Sequence, residues 1–485
     1  MNRSIRKLFY VTVVLFTALL GMLAYQQVIN ASSLADNPHN TRKVFEQMRI
    51  NRGLILARDN TELAKNELKG GLYYRQYPLG DQFAQLIGYN DMVYGQTGLE
   101  HSENDYLTGT ADEVELTNFI NQLTGKQQAG ANIKLTVDPK AQKTAMDDLQ
   151  KNGKPGAVVV LDVHTGAVLA MASNPSYDPN QLEADWSQLN QDPSGPLLNR
   201  ATQSLYTPGS SFKLITTAAA LETGAFTPDS QFLDDKGYID IDGNRINNYR
   251  ATATSAPEVF GQHTLSDAFA HSINTTFAQV GDKVGEAKLV EYQQKFGLYQ
   301  TPPIDLPGDE VSVSGRYVNG QLASPDASLD KVHVAWMAIG QENVQVTPLQ
   351  MAMVAQAIGD GGTLMKPYVV DSVIDNNSTV IKQMQPEQWQ QAIQPQTASA
   401  ITAMMVKVVN EGTGFGARSD RVQIAGKTGT AEVGGNKGPN AWFVGFAPAD
   451  NPKVAIAVVV EDAASTGHDS SPIAHDVLLS ALGLQ

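Results

Sequence analysis

The sequence predicts an α+β protein behind one N-terminal apolar helix, and three observations predict it. An uncharged apolar run fills residues 8–25; β-rich runs gather in two groups, one following residue 155 and one between residues 422 and 462; and the chain between these groups reads mainly as helix. A chain of 485 residues, 42% hydrophobic and 18% charged, has the length of two or three globular units at ~150 residues each and a composition that disorder does not share. Its 50 Asp+Glu outnumber 35 Lys+Arg, a net charge of −15 that argues against nucleic acid as a partner, since that recognition rests on clustered Lys and Arg. There is no cysteine, which removes disulfides, thiolate metal sites and Cys nucleophiles together, and the eight histidines are scattered with no His-Glu-x-x-His run. Covalent chemistry is left to Ser, Thr, Lys and carboxylates.

Arg3, Arg6 and Lys7 precede the apolar run LFYVTVVLFTALLGMLAY. Its 18 residues just span a hydrocarbon core of ~30 Å at about 1.5 Å per residue. A cleaved signal peptide has a shorter apolar region, about 7–15 residues, ending in a small-x-small site; here bulky Tyr25, Gln26 and Gln27 follow. The run therefore predicts an uncleaved anchor with its basic flank in the cytoplasm and everything after residue 30 outside. Residues 50–130 read as short strands and turns, with Arg52-Gly53 and Arg58-Asp59-Asn60 punctuating the strand-like Leu54-Ile55-Leu56. From Gly156 to Ser173 two β-rich runs joined around His164-Thr165-Gly166 predict a buried hairpin. VQIAGKTGTAEV, AWFVGFAP and VAIAVVVED, between residues 422 and 462, predict three successive antiparallel strands. The intervening SFKLITTAAALETG, LSDAFAHSINTTFAQVGDKVG and TPLQMAMVAQAIGDGG are helical patterns closed by Gly. A sheet built from the two ends of the region with helices inserted between them is an α+β arrangement.

Three short motifs can carry chemistry. Ser210-x-x-Lys213 follows the turn Pro208-Gly209, so a helix starting at or beside Ser210 brings the Lys213 amine within one turn of the hydroxyl. A lysine with a lowered pKa can deprotonate a serine, and the helix N-terminus offers N–H groups where negative charge develops. Alone the pattern is weak, because Ser4-x-x-Lys7 matches it equally. Ser272-x-Asn274 supplies a hydroxyl that can relay a proton and an amide that can hold a peptide group, but Ser102-x-Asn104 copies it, and such residues usually cap helices or make turns. Lys427-Thr428-Gly429 is more specific: a cation and a hydroxyl can hold a carboxylate while the glycine admits a ligand backbone. The phosphate-loop reading of Gly426-Lys427-Thr428 fails, since Arg421 stands where that loop needs Gly.

Ser272 follows Ser210 by 62 positions and Lys427 follows Ser272 by 155, an ordered set that chance does not readily produce. With it the chain resembles the class B penicillin-binding proteins, the peptidoglycan D,D-transpeptidases. The resemblance covers almost the whole chain and includes the short tail and anchor, Arg52-Gly53 with Arg58-Asp59, Gly98-Leu99-Glu100, Thr136-Val137-Asp138 with Gln142, and Gly340-Gln341 before Thr347-Pro348-Leu349-Gln350. The compact form without C-terminal repeats is similar to the actinobacterial subgroup. Ser211 departs from the Thr that often follows the nucleophile, and Ile273 fills a variable position. The roughly 125 residues between anchor and Gly156 leave too little room for the glycosyltransferase domain of class A proteins, and the Glu-x-x-Leu-Asn element of class A β-lactamases is missing between Asn274 and Lys427.

The resemblance implies a cytoplasmic tail over 1–7, an anchor over 8–28, a non-catalytic, dimerisation-like pedestal over 29–150 and a penicillin-recognising transpeptidase domain over 151–485, with a central antiparallel sheet flanked by helices. It implies Ser210 as nucleophile, Lys213 as general base, and Ser272 with Lys427 as the relay that protonates the leaving amine. Asn274 would hold the substrate amide, the N–H groups of Ser210 and Thr430 would form the oxyanion hole, and Thr428 and Thr430 beside Gly429 would bind the terminal carboxylate. Whether Lys213 acts directly or through a relay stays open. The implied partners are stem peptides of lipid-linked precursor or nascent glycan, β-lactams, the cytoplasmic membrane and a membrane glycosyltransferase of the division or elongation machinery, with no metal or organic cofactor. The rival is a non-catalytic penicillin sensor or divisome scaffold of the same fold; the intact motif set and the roughly seven residues inside favour the enzyme.

Overall fold

The computed structural model describes residues 3–25, 48–114, 129–249, 255–375, 378–432, 438–463 and 466–485. The apolar run forms the helix Arg3–Ala24, whose 22 residues give roughly 33 Å at 1.5 Å per residue. Its most apolar stretch, Arg3–Leu23, has a mean hydropathy of 1.7 and is not buried by any of the described residues. Thr12 and Thr17 return their hydroxyls to Leu8 O and Val13 O, so the helix carries its two threonines without open donors. It is thus long and apolar enough to cross a bilayer. Residues 26–28 of the expected anchor lie outside the described residues.

The β-rich region after residue 50 builds most of a six-stranded sheet, in the spatial order 380–383, 370–374, 132–135, 55–56, 62–69, 72–76. The turn expected at Arg58-Asp59-Asn60 is present: Thr61 N donates to Asp59 Oδ1 at 2.9 Å, and Asn60 takes φ 69°, a conformation Asn tolerates well. Arg52 and Arg75 converge on Glu100 at 2.8 and 2.5 Å, with Glu100 fully buried. Burial pushes that carboxyl up, but Arg75 and Arg52 outweigh it and hold it below its ordinary value. This ion cluster ties the Arg52-Gly53 turn to the Gly98–Ser102 helix.

The second sheet has five antiparallel strands in the order Ala425–Ala431, Asn440–Ala447, Val454–Val460, Gly156–Asp162, Val168–Asn174. The expected hairpin and the three expected strands are its components, joined by the pairing of Val454–Val460 with Gly156–Asp162. Alternation along each strand sorts the side chains to two faces. Val158, Val160, Ile456 and Val458 pack with Ala145, Leu149, Val477 and Leu478 of the helices Pro139–Asn152 and Thr466–Ala481. Val159, Leu161, Ala457 and Val459 face the core containing Leu349, Met353 and Ile215, from the helices Pro348–Gly359 and Lys213–Glu222. Both faces are covered, which is why nearly every residue of these strands is buried.

The two modules exchange elements across residue 150. The helix Pro139–Asn152, which precedes that position, packs on the second sheet, while the hairpin Val370–Ile374 with Val380–Gln383, far beyond it, completes the first. Val370 pairs with Leu135 and Val373 with Ile133, a long-range pairing that local sequence pattern does not encode.

Candidate active site

Thr207-Pro208-Gly209-Ser210 approaches the second sheet at its edge strand, Ala425–Ala431. Gly209 adopts φ 51°, and a Cβ there would lie 2.4 Å from Thr430 O, so both conformation and space require glycine. Its N–H donates to Gly340 O at 3.0 Å, and Ser211 Oγ donates to Pro208 O at 2.7 Å. The expected helix starts here as a 3₁₀ turn over Gly209–Phe212 and continues as α-helix over Lys213–Glu222. Ser210 is half-buried at its entrance, and Ser211 and Lys213 are fully buried.

The stretch read as one helical pattern over 265–285 is two helices, Leu265–Ala270 and Asn274–Val284. Ser272 sits in the break with φ 59°, and its hydroxyl is where two lysines meet. Lys213 Nζ donates to Ser272 O at 2.8 Å, to Asn274 Oδ1 at 2.8 Å and, more loosely, to Ser272 Oγ at 3.3 Å. Lys427 Nζ, from the edge strand, donates to Ser272 Oγ at 3.0 Å and to Thr428 O at 3.0 Å. Lys213 lies one turn beyond Ser210, yet among the described residues its amine donates to Ser272 and Asn274 and not to the Ser210 hydroxyl. Burial, and secondarily the Lys427 charge, hold Lys213 well below the ordinary lysine range; burial brings Lys427 down to about 7. Two amines whose hold on the proton is weakened, set around one hydroxyl, can pass a proton through it.

On the edge strand Thr428 and Thr430, two residues apart, share one face, with Thr428 buried and Thr430 exposed. The space a Cβ at Gly429 would occupy is filled by the nucleophile loop: it would lie 2.6 Å from Pro208 O and 2.9 Å from Ser211 N. Thr413, outside the three motifs, joins this strand: its Oγ1 lies 2.5 Å from Thr428 Oγ1. Its only sequence cue is the flanking pair Gly412 and Gly414. The decoy motifs separate cleanly. Ser4 and Lys7 lie exposed on the apolar helix; Ser102 Oγ donates to Asp305 O, and Asn104 Oδ1 accepts from Arg52 and Gln96 within the first module.

This geometry meets an independent finding. Residues 156–479 match the family model of the penicillin binding protein transpeptidase domain, and residues 52–133 that of the penicillin binding protein A dimerisation domain. The chain belongs to the penicillin-binding protein transpeptidase family. It is 37% identical over 506 aligned residues to the peptidoglycan D,D-transpeptidase PbpA of Mycolicibacterium smegmatis, covering 99% of each chain. Among solved structures, penicillin-binding protein A from M. tuberculosis as a ceftriaxone acyl-enzyme complex superposes with a TM-score of 0.82 at 34% identity, over 90% of this chain and 100% of that one. The penicillin G acyl-enzyme of penicillin-binding protein A from M. tuberculosis gives a TM-score of 0.80 at 33% identity, over 89% and 99%. As a penicillin-binding protein the chain is thus similar, over about nine-tenths of its length, to proteins solved as β-lactam acyl-enzyme complexes.

Proposed function

We propose that this penicillin-binding protein is a serine D,D-transpeptidase that cross-links peptidoglycan stem peptides and is acylated by β-lactams at Ser210. The observation that carries the reading is the Ser272 hydroxyl held between two fully buried lysines, at the foot of the loop that presents Ser210. Ser210 Oγ attacks the carbonyl of the penultimate D-alanine, forming the Oγ–C bond as its proton passes to neutral Lys213, directly or through Ser272. Collapse breaks the C–N bond, and the departing D-alanine amine takes a proton from the Ser272–Lys427 pair. An amine of a second stem peptide then attacks the ester and gives its proton to the lysine pair, which returns one to Ser210 Oγ as the ester C–O bond breaks. The N–H groups of Ser210 and Thr430 receive the oxyanion. Asn274, with one Nδ2 hydrogen engaged by Asn247 O, has the other for a substrate carbonyl, and Thr428 and Thr430 take the terminal carboxylate.

In the same reading residues 1–7 are a cytoplasmic tail, 8–28 a single membrane anchor, 29–150 the pedestal and 151–485 the transpeptidase domain on the outer side, with Arg3, Arg6 and Lys7 setting the orientation. A membrane glycosyltransferase of the division or elongation machinery supplies the glycan. Incubation with fluorescent penicillin, followed by mass mapping, tests the assignment: the label is expected on Ser210 and absent from a folded Ser210→Ala variant. Label on Ser272 or Ser102, or retained by Ser210→Ala, would remove the nucleophile from this reading.

A further inference from the structure

The helix that begins at Asn274 has an apolar residue at its N-cap. Ile273 holds that position and its side chain accepts nothing, although the first turn of a helix leaves N–H groups without intrahelical acceptors. One of them is satisfied from elsewhere: Thr275 N donates to Asn248 Oδ1 at 3.0 Å in a buried setting. The adjacent carbonyl, Asn247 O, accepts from Asn274 Nδ2 at 3.0 Å. Both acceptors come from the end of a small hairpin, Tyr238–Ile241 with Asn244–Asn247, inserted between the Lys213 helix and the Ser272 break.

The Asn248 amide has one workable orientation. Only 4% exposed, it donates through Nδ2 to Asp234 Oδ2 at 2.8 Å and to Glu258 O at 3.0 Å, and its N–H donates to Gly237 O at 2.9 Å. Turning the amide over would set NH₂ against the Thr275 N–H and oxygen against two oxygens. Asp234, also 4% exposed, is fixed in its turn: Oδ1 accepts from Gly237 N and Oδ2 from Phe260 N, each at 3.0 Å. One line of contacts runs from Asp234 through Asn248 to Thr275 N. A second runs from Asn247 O through Asn274 Nδ2 and Asn274 Oδ1 to Lys213 Nζ.

We infer that Asn248, gripped by Asp234, is a positioning residue for acyl transfer: it caps from outside the helix that carries Asn274 and, with Asn247 O, keeps Asn274 Oδ1 and the Ser272 hydroxyl in register with Lys213. The inference rests on the function proposed above, because the register matters only if these groups handle the reacting proton. Misplacing such a group by about 1 Å costs on the order of a hundredfold in rate.

The test uses the full chain and fluorescent penicillin, reading the acylation rate constant per labelled site and not the amount labelled. Asn248→Ala is expected to slow acylation roughly tenfold to a hundredfold while the label still reaches Ser210. Asn248→Asp keeps an acceptor for Thr275 N but sets a carboxylate against Asp234, so it should be the less stable of the two variants in thermal melts and yet the faster to acylate. Leu233→Ala, 66% exposed on the neighbouring strand Gln231–Asp234, should match the unmodified protein. A wild-type rate constant for Asn248→Ala, or variant rates that simply follow melting temperature, would overturn the inference. Amide hydrogen exchange in the unmodified protein needs no variant: Thr275 N–H should exchange slowly and in step with the Asn244–Asn247 strand, and exchange as fast as an unbonded first-turn amide would equally overturn it. Failure of the unmodified protein to label at Ser210 would instead withdraw the proposed function, so the two failures are distinct.

Discussion

Lys213 and Lys427 are the residues whose chemistry is most changed by where they sit. Each is fully buried, and each donates to the same Ser272 hydroxyl. Because the Lys427 charge is one cause of the low Lys213 value, the acid limb of the acylation pH profile should move to higher pH in Lys427→Met, with the remaining rate measured by stopped-flow. The same burial has a consequence for stability. An unfolded lysine titrates near 10.5 and folded Lys427 near 7, so between these values the unfolded chain binds more protons and stability rises with pH; below 7 the cost is fully present. The slope of unfolding free energy against pH over 7–10 should therefore be steeper in the unmodified protein than in Lys427→Met. Lys213→Arg keeps the charge and cannot release its proton, so penicillin acylation should fall by about 10²–10⁴, and a near wild-type rate would place the base elsewhere. With Thr428 binding the terminal carboxylate as proposed, Thr428→Val would remove one charge-assisted hydrogen bond worth roughly 1.5–3 kcal/mol, a loss of about tenfold to 150-fold for ligands with the carboxylate and far less for analogues without it. Thr413→Val should shift the same ratio in the same direction, since its hydroxyl lies against that of Thr428.

At the scale of elements, the site depends on places where regular structure stops. The Leu265–Ala270 helix opens with a reciprocal Thr264–Asp267 capping box and ends two residues before Ser272, whose positive φ turns the hydroxyl between the lysines. A continuous helix through 265–285 would carry Ser272 in a different direction, and the sequence pattern, apolar at helical spacing on both sides, does not reveal the break. The nucleophile loop is likewise set by backbone contact: Gly340, at φ 77°, passes so close to Gly209 that a Cβ would lie 2.0 Å from Gly209 O. Gly340→Ala should cost at least the ~1–2 kcal/mol of a left-handed L-residue and displace the turn that carries Ser210, lowering both melting temperature and acylation rate. If both stayed unchanged, Gly340 would not support that loop.

At the scale of the whole molecule, the hairpin 370–383 crosses into the first sheet while the helix Pro139–Asn152 packs on the second, so each module holds part of the other's core. Unfolding one should strip apolar pairing from the other, and thermal melts followed separately at Trp186, which stacks on Tyr94 of the first module with ring centres 3.9 Å apart, and at Trp442, buried in the second sheet, should coincide. Two resolved transitions would mean that the interlock does not couple them. The apolar helix makes a topological prediction: a reporter fused after residue 40 should be active only if it works outside the membrane, and a mature chain beginning after residue 25 would replace the anchor with a cleaved signal.

The sequence by itself determined the apolar N-terminal run, the two β groups, the α+β class and the ordered set Ser210, Lys213, Ser272, Asn274, Lys427, because periodicity, composition and motif order are local or one-dimensional properties. Only the tertiary structure decided that Ser272 sits between two buried lysines, that Gly429 makes room for the protein's own loop, that Thr413 joins Thr428, and that Asn248 caps a helix it does not belong to. Each of these is a contact between segments far apart in the chain, fixed by how two buried sheets and their helices pack, and no local pattern carries that information.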